Sequence, residues 1–186
     1  MNHNLANYNI AYIAEHLADY YDHVPKPFQI IGYDGAGVVL DVGPDCKYFK
    51  PGDEVFYADS PTRQGTAAER QLVSELGAAH KPQNLDFVEA ASMSLTYGTA
   101  YEALIERLEI KKDEQAALLV INGAGGVGSM ATQIAKNVLN LPVVISTASR
   151  PETVEWTKKM GATHVLNHRE NLQPQIEALN LGVPLK

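Results

Sequence analysis

The rhythm of apolar and polar positions changes twice along this chain. Over residues 1–24, Ile10, Ile13, Leu17 and Tyr20 recur at three- and four-residue spacing, with Glu15, Asp19 and Asp22 on other faces. That spacing predicts an amphipathic helix. It ends before Pro25-Lys26-Pro27, since the residue ahead of each proline is pushed out of helical geometry. From residue 28 to about residue 85 the rhythm is that of short strands and turns. Gly32, Gly35, Gly37, Gly43-Pro44-Asp45, Pro51-Gly52-Asp53 and Gly65 punctuate β-rich runs, chiefly Val38-Val39-Leu40-Asp41-Val42 and Glu54-Val55-Phe56-Tyr57. Pro51-Gly52 suits a type II turn: proline pre-sets the first central dihedral and glycine supplies the positive φ of the second.

Beyond residue 85 helices and strands alternate. A long helical stretch covers 87–107, followed by the apolar run Ala116-Ala117-Leu118-Leu119-Val120-Ile121, which fits a strand buried on both faces. A helix over 127–139 carries Val127, Met130, Ala131, Ile134, Ala135 and Val138 as one continuous stripe. The strand Val143-Val144-Ile145-Ser146-Thr147 leads to a helix ending near Met160, with Gly161 as its stop. A short strand over 163–166 and a helix ending before Gly182 complete the series. Alternation at this pitch implies right-handed βαβ units on a parallel sheet.

Between the first of these strands and its helix stands Gly123-Ala124-Gly125-Gly126-Val127-Gly128, a G-x-G-x-x-G string. Alone the string is weak, and a glycine-rich turn that merely allows tight packing would also satisfy it. After an apolar strand and at the head of an amphipathic helix it becomes specific for dinucleotides. Gly123 is expected to permit the tight turn and Gly125 to leave room for the pyrophosphate. Gly128 would let the helix lie close on the strand. The helix N-terminus, with its free N–H groups and positive dipole end, then faces the phosphates.

The neighbouring strand end selects between cofactors. A carboxylate about 20 residues beyond the fingerprint usually binds the ribose 2′-hydroxyl of NAD. Here the stretch is Ser146-Thr147-Ala148-Ser149-Arg150, without an acid until Glu152. A hydroxyl followed by a guanidinium suits a 2′-phosphate, with Lys158 and Lys159 adding charge, so NADP(H) is preferred over NAD(H). Ser149 and Glu152 also have the spacing of a helix capping box, and Ser149 can cap while leaving Arg150 free.

Composition narrows the partners. With 186 residues, 45% of them hydrophobic and 20% charged, the chain has the balance of a globular protein with one large or two small domains. The net charge of −7 and scattered Lys and Arg argue against nucleic acid. No apolar stretch approaches the roughly 18 residues of a membrane span, and the polar N-terminus is no secretory signal. A single cysteine, Cys46, cannot form an internal disulfide or a four-cysteine zinc lobe. A cytoplasmic location is expected. The expected partners are a small-molecule substrate and at most a second copy of the chain, as a homodimer.

The strings Ile31-Gly32-Tyr33-Asp34-Gly35-Ala36-Gly37-Val38-Val39, Lys50-Pro51-Gly52-Asp53-Glu54-Val55-Phe56-Tyr57 and Leu95-Thr96-Tyr97-Gly98-Thr99-Ala100-Tyr101-Glu102 add a further signal. Together with the glycine string, Thr147-Ala148-Ser149-Arg150 and Trp156-Thr157-Lys158-Lys159-Met160-Gly161-Ala162, they resemble the medium-chain dehydrogenase/reductases. The similarity is greatest to the quinone-oxidoreductase-like branch labelled zinc-type alcohol dehydrogenase-like, and it runs from about residue 28 to about residue 179.

The resemblance implies an α/β fold: a partial chaperonin-10-like β-barrel over 28–95, then the first half of a Rossmann parallel sheet over 96–186, with residues 1–27 as a helical segment. It implies hydride transfer from NADPH to a quinone, enone or carbonyl carbon. Cofactor contacts would come from Gly123, Gly125, Gly126, Val127, Gly128, Ser149 and Arg150, with Thr96 near the nicotinamide. His168 stands where many members have a tyrosine near the adenosine, and is read as a surface histidine.

Departures from the family pattern matter too. Zinc-dependent members carry Gly-His-Glu where this chain has Gly32-Tyr33-Asp34, so no zinc is expected and a zinc-dependent alcohol dehydrogenase is the least favoured reading. His16 and His23, with Asp19 between them, are read as a solvated helix face. Tyr33, Tyr57 and Tyr97 are available hydroxyls, none with a spacing that assigns a proton donor. Family members are about twice this length, so the chain is expected to be truncated at both ends. A non-catalytic nucleotide-binding fragment is the rival reading.

Overall fold

The computed structural model describes residues 30–59 and 63–186. The expected helix over 1–24, the 1–27 segment and the His16–His23 pair lie outside the described residues. The chain divides into two compact units, Met1–Leu95 and Thr96–Lys186.

In the first unit β1 (Asp34–Val38), β2 (Glu54–Ala58) and β3 (Ala78–His80) form an antiparallel sheet in that order. Gly35 faces Tyr57 and Val38 faces Glu54 across the first pair. The run 38–42 therefore contributes only Val38 to a strand, which corrects the sequence reading. The glycine-rich stretch before it is the true strand, because a short helix, α1 (Phe87–Ala91), presses on it. Ala36 packs with Ala90 and Ala91 against Phe56, Leu85 and Phe87, a contact that larger residues would prevent. Gly35 lies so close to the Tyr57 ring that an added Cβ would come within 2.5 Å of it. Pro51-Gly52 forms the expected turn, with Gly52 at φ +94° and the Asp53 N–H bonded to the Lys50 carbonyl at 3.2 Å.

The expected helix over 87–107 is broken. Asp86 caps α1 in a reciprocal box with Glu89, and α1 ends at Ser92, whose hydroxyl returns to the Glu89 carbonyl at 2.7 Å. Helix α2 (Ser94–Tyr101) starts afresh and loosens into a π-helical segment over Glu102–Arg107.

The second unit is the first half of a Rossmann-type sheet. Strands β4 (Ala117–Val120), β5 (Val143–Thr147) and β6 (His164–Leu166) are parallel in that order. They alternate with α3 (Gly126–Gln133), extended by a π-helical segment to Val138, α4 (Pro151–Lys159) and α5 (Leu172–Ala178). Val144 and Ile145 have no exposed surface, as expected for a strand covered on both faces. Ala100, Leu104, Ile110, Leu118, Val120, Ala131, Ile134, Ala135, Leu139, Leu141 and Val144 form one core, each large aliphatic side chain contributing about 1.5–3 kcal/mol by burial. The expected stripe on α3 is narrower than drawn: Val127 and Val138 are 40% and 55% exposed. Gly161, at φ +108°, ends α4 as expected.

Residues 184–186 add a feature the sequence did not suggest. They run parallel to β4 on the edge away from β5, with Ala117 and Leu119 N–H groups bonded to Pro184 and Lys186 carbonyls at 2.8 and 3.1 Å. The order across the sheet is thus 184–186, β4, β5, β6. The sequence reading ended the Rossmann half at its third strand and helix. This return to the other edge of β4 creates a topological switch point beside β4, where open α/β sheets hold their ligands beyond the strands' carboxyl ends.

Candidate dinucleotide site

The loop leaving β4 is built around Asn122, which holds a left-handed φ of 57°. Its N–H bonds the Thr147 hydroxyl at 2.9 Å, the Gly123 N–H bonds the Thr147 carbonyl at 3.1 Å, and the Gly125 N–H returns to the Asn122 carbonyl at 3.0 Å. Asn122, not Gly123, makes the left-handed corner. Gly123 is required for a different reason, as a Cβ there would stand 2.6 Å from that of Ser146. At Gly128 a Cβ would overlap the Asn122 carbonyl oxygen and crowd the Gly123 Cα at 2.8 Å. That is the close helix-to-strand approach expected of the last glycine.

Gly125 is the N-cap of α3 and Gly126 its first residue, and no side chain makes a capping hydrogen bond to the N–H groups of the first turn. Thr96 abuts the same turn: a Cβ on Gly126 would lie 3.0 Å from its methyl group. The structure therefore brings Thr96, Gly125, Gly126, Val127 and Gly128 together.

Behind this turn, hydroxyls tie the helix to its neighbours. Thr132, fully buried, donates to the Gly128 carbonyl at 2.8 Å and lies 3.0 Å from the Ser146 hydroxyl, which supplies the proton of that second bond. Trp156 of α4 donates its indole N–H to the Ser129 hydroxyl at 2.8 Å. Sequence reasoning missed these pairs. A run of hydroxyl residues in the otherwise apolar β5 was the only hint.

Ser149 and Arg150 close the other side. The expected capping box between Ser149 and Glu152 does not form. The cap lies one residue later, at Arg150, whose N–H bonds the Thr153 hydroxyl at 3.2 Å, and Pro151 takes the first helical position. The Arg150 Nε sits 3.1 Å from the Glu152 carboxylate, both side chains about two-thirds exposed at 64% and 67%. This contact leaves the two terminal guanidinium nitrogens available. The Ala148 N–H bonds the Leu166 carbonyl at 3.0 Å, which aligns this corner with the turn carrying the exposed His168. Lys158 and Lys159 do not join it. They lie in the last turn of α4, Lys158 beside Glu155 at 3.4 Å and Lys159 over the Trp156 ring at 5.9 Å.

Tyr57 and Tyr97, and the carboxylates and thiol of the first unit, have local partners. Tyr57 is buried and donates its hydroxyl to Gln71 at 3.0 Å, and Gln71 in turn donates to Asp59. Burial, reinforced by the Asp59 charge, pushes the phenol up to about 12, which keeps it a hydrogen-bond donor. Tyr97 leans on Tyr101 with ring centroids 5.8 Å apart. Asp34 is buried and accepts the Leu95 N–H at 2.6 Å, while the Cys46 thiol donates to Glu75 at 3.3 Å. Among the described residues no three His, Cys, Asp or Glu side chains gather in a way that could hold a metal ion.

Two family models match the chain: the alcohol dehydrogenase GroES-like domain over residues 6–85 and the zinc-binding dehydrogenase over residues 126–184. A zinc-type alcohol dehydrogenase-like protein of Staphylococcus aureus is 50% identical over 157 residues, 82% of this chain and 46% of that protein. The NADPH-dependent alkenal/one oxidoreductase of Arabidopsis thaliana chloroplasts is 40% identical over 149 residues, 76% of this chain and 38% of that protein. Among solved structures, the Escherichia coli quinone oxidoreductase complexed with NADPH superposes with a TM-score of 0.75 at 31% identity, over 97% of this chain and 53% of its own. The chain spans about half the length of the curated relatives it matches. By its two matched regions, its parallel sheet and its glycine loop, the chain belongs to the medium-chain dehydrogenase/reductase superfamily.

Proposed function

We propose that this chain holds the diphosphate and adenosine 2′-phosphate of NADPH, as part of an oxidoreductase that delivers hydride to a quinone, enone or carbonyl carbon. The observation that carries the reading is the uncapped first turn of α3, framed by glycines at the end of β4 and beside the switch point. N–H groups of Gly126, Val127 and Gly128 would meet the diphosphate, helped by the positive end of the helix. Thr96, against the same turn, would border the nicotinamide side.

Preference for NADPH over NADH rests on the β5 end, where Ser149 and the free fork of Arg150 replace an acidic side chain. NADPH supplies the hydride, and the protein's share is binding, orientation and exclusion of water. The names of the Arabidopsis and Escherichia coli relatives, which carry NADPH, support the same direction. No residue is assigned as proton donor, and a cytoplasmic setting is part of the proposal.

The test is a titration of the 186-residue chain with NADPH and with NADH, paired with NADPH oxidation in the presence of phenanthrenequinone. Tighter binding of NADPH with quinone-dependent oxidation is the expected result. Binding without oxidation would limit the chain to a nucleotide-holding role, and no binding of either cofactor would overturn the reading.

A further inference from the structure

We infer that Asn122 is a diphosphate-binding residue: its carboxamide, presented at the mouth of the glycine loop, donates to a phosphate oxygen of the dinucleotide. The inference rests on the dinucleotide reading above and extends it to a side chain outside the glycine string.

Asn122 occupies the one left-handed corner of the loop, at φ 57°. Asparagine tolerates that region better than most residues, as does aspartate, and glycine enters it freely. The backbone alone would thus be served by any of the three. Its N–H and carbonyl are fully engaged, with Thr147 and with Gly125. The side chain is not. It is exposed, and among the described residues it has no hydrogen-bond partner. It folds forward over Gly125, the N-cap of α3, so that Nδ2 lies 2.9 Å from the place where a Cβ on Gly125 would stand. A two-proton donor is therefore held against the N-cap residue of the uncapped turn, where the proposed phosphate would lie. A neutral amide adds donors there without adding charge, whereas a carboxylate at the same point would repel phosphate.

Three variants separate a ligand contact from a corner residue. Asn122→Asp keeps shape and backbone tolerance but reverses the electrostatics, and is expected to weaken NADPH binding at least about tenfold, as for loss of a charge-assisted bond plus repulsion. Asn122→Gly keeps the corner and removes the donor, with an expected loss of about three- to tenfold. Asn122→Ala strains the corner and is expected to lower the melting temperature as well. Adenosine 2′-monophosphate, which lacks the diphosphate, serves as the control ligand and is expected to bind Asn122→Asp and the parent alike. If Asn122→Asp and Asn122→Gly bind NADPH like the parent, or if Asn122→Asp loses both ligands equally, the inference is overturned. Failure of the parent chain to bind NADPH would instead refute the dinucleotide reading itself.

Discussion

The loop at residues 123–128 and the corner formed by Ser149 and Arg150 lie at the carboxyl ends of adjacent strands, yet they are held in different ways. The loop is shaped mainly by backbone. Its neighbours stand so close that Gly123 and Gly128 have no room for a single methyl group, and its bonds run to Thr147 and to its own carbonyls. The corner is side chain. Ser149 is half-buried, and the exposed Arg150 side chain is paired, among the described residues, with the equally exposed Glu152. A backbone cradle accepts any diphosphate and cannot change without harm to the sheet behind it. A guanidinium on a helix cap can be exchanged at little structural cost. On the proposed reading, general affinity is written into the fold, and the choice between NADPH and NADH into two replaceable residues.

The largest effect that would break this contrast is expected at Gly128. Gly128→Ala forces a methyl group onto the Asn122 carbonyl and the Gly123 Cα, both of them backbone. Overpacking of this kind costs about 1–3 kcal/mol, and rigid neighbours place this site at the upper end. Denaturant unfolding should show the loss, and binding of NADPH and NADH should fall together. A stable Gly128→Ala chain with unchanged affinity would mean that the helix does not need its close approach.

Arg150→Ala comes next and has the opposite signature. The side chain is exposed and its pair with Glu152 is worth about 0–1 kcal/mol, so unfolding should hardly move. A charge-assisted contact to a 2′-phosphate is worth about 1.5–3 kcal/mol, so NADPH affinity should drop at least about tenfold while NADH affinity holds. Equal losses for the two cofactors would remove Arg150 from the site and with it the side-chain half of the contrast.

The same contrast explains what could be read without coordinates. Continuous apolar runs gave β4 and β5, and glycine spacing at a strand–helix junction gave the loop, because backbone demands leave a periodic or compositional trace. Features made by one chance partner left none. Ala78, Ala79 and His80 become β3 by taking the pairing register that β2 offers. Residues 184–186 pair with β4 along the edge that β5 leaves free. At the break after Ala91 the Ser92 hydroxyl returns to the carbonyl three residues back, a local bond that spacing does not announce. Val127 and Val138 fall on the apolar stripe by spacing yet are largely exposed, since α3 and its π-helical extension bury a face carried by Gly128, Ala131, Thr132, Ile134 and Ala135. The cap at Arg150 rather than Ser149 turns on Pro151 and Thr153, which outcompete a Ser–Glu spacing that looked sufficient.

A bond between the helices that follow the two regions sets the smallest expected effect. The Trp156 indole, from the helix that Arg150 caps, donates at 2.8 Å to Ser129, one residue past Gly128. If the loop is sustained by its own backbone, this link only steadies α4 against α3. Trp156→Phe should then cost about 1 kcal/mol, a melting shift of about 2–4 °C. Both cofactors should bind within about threefold of the parent, as expected for a bond of at most 1 kcal/mol acting at a distance. Ser129→Ala, which removes the acceptor instead of the donor, should match it, and the double variant should lose little more than either single one. Because Trp156 is the chain's only tryptophan, unfolding of its variant is followed by circular dichroism. A fall in NADPH affinity as large as that of Arg150→Ala, with NADH spared, would show that the corner's geometry depends on α3, and that selectivity and cradle are one unit after all.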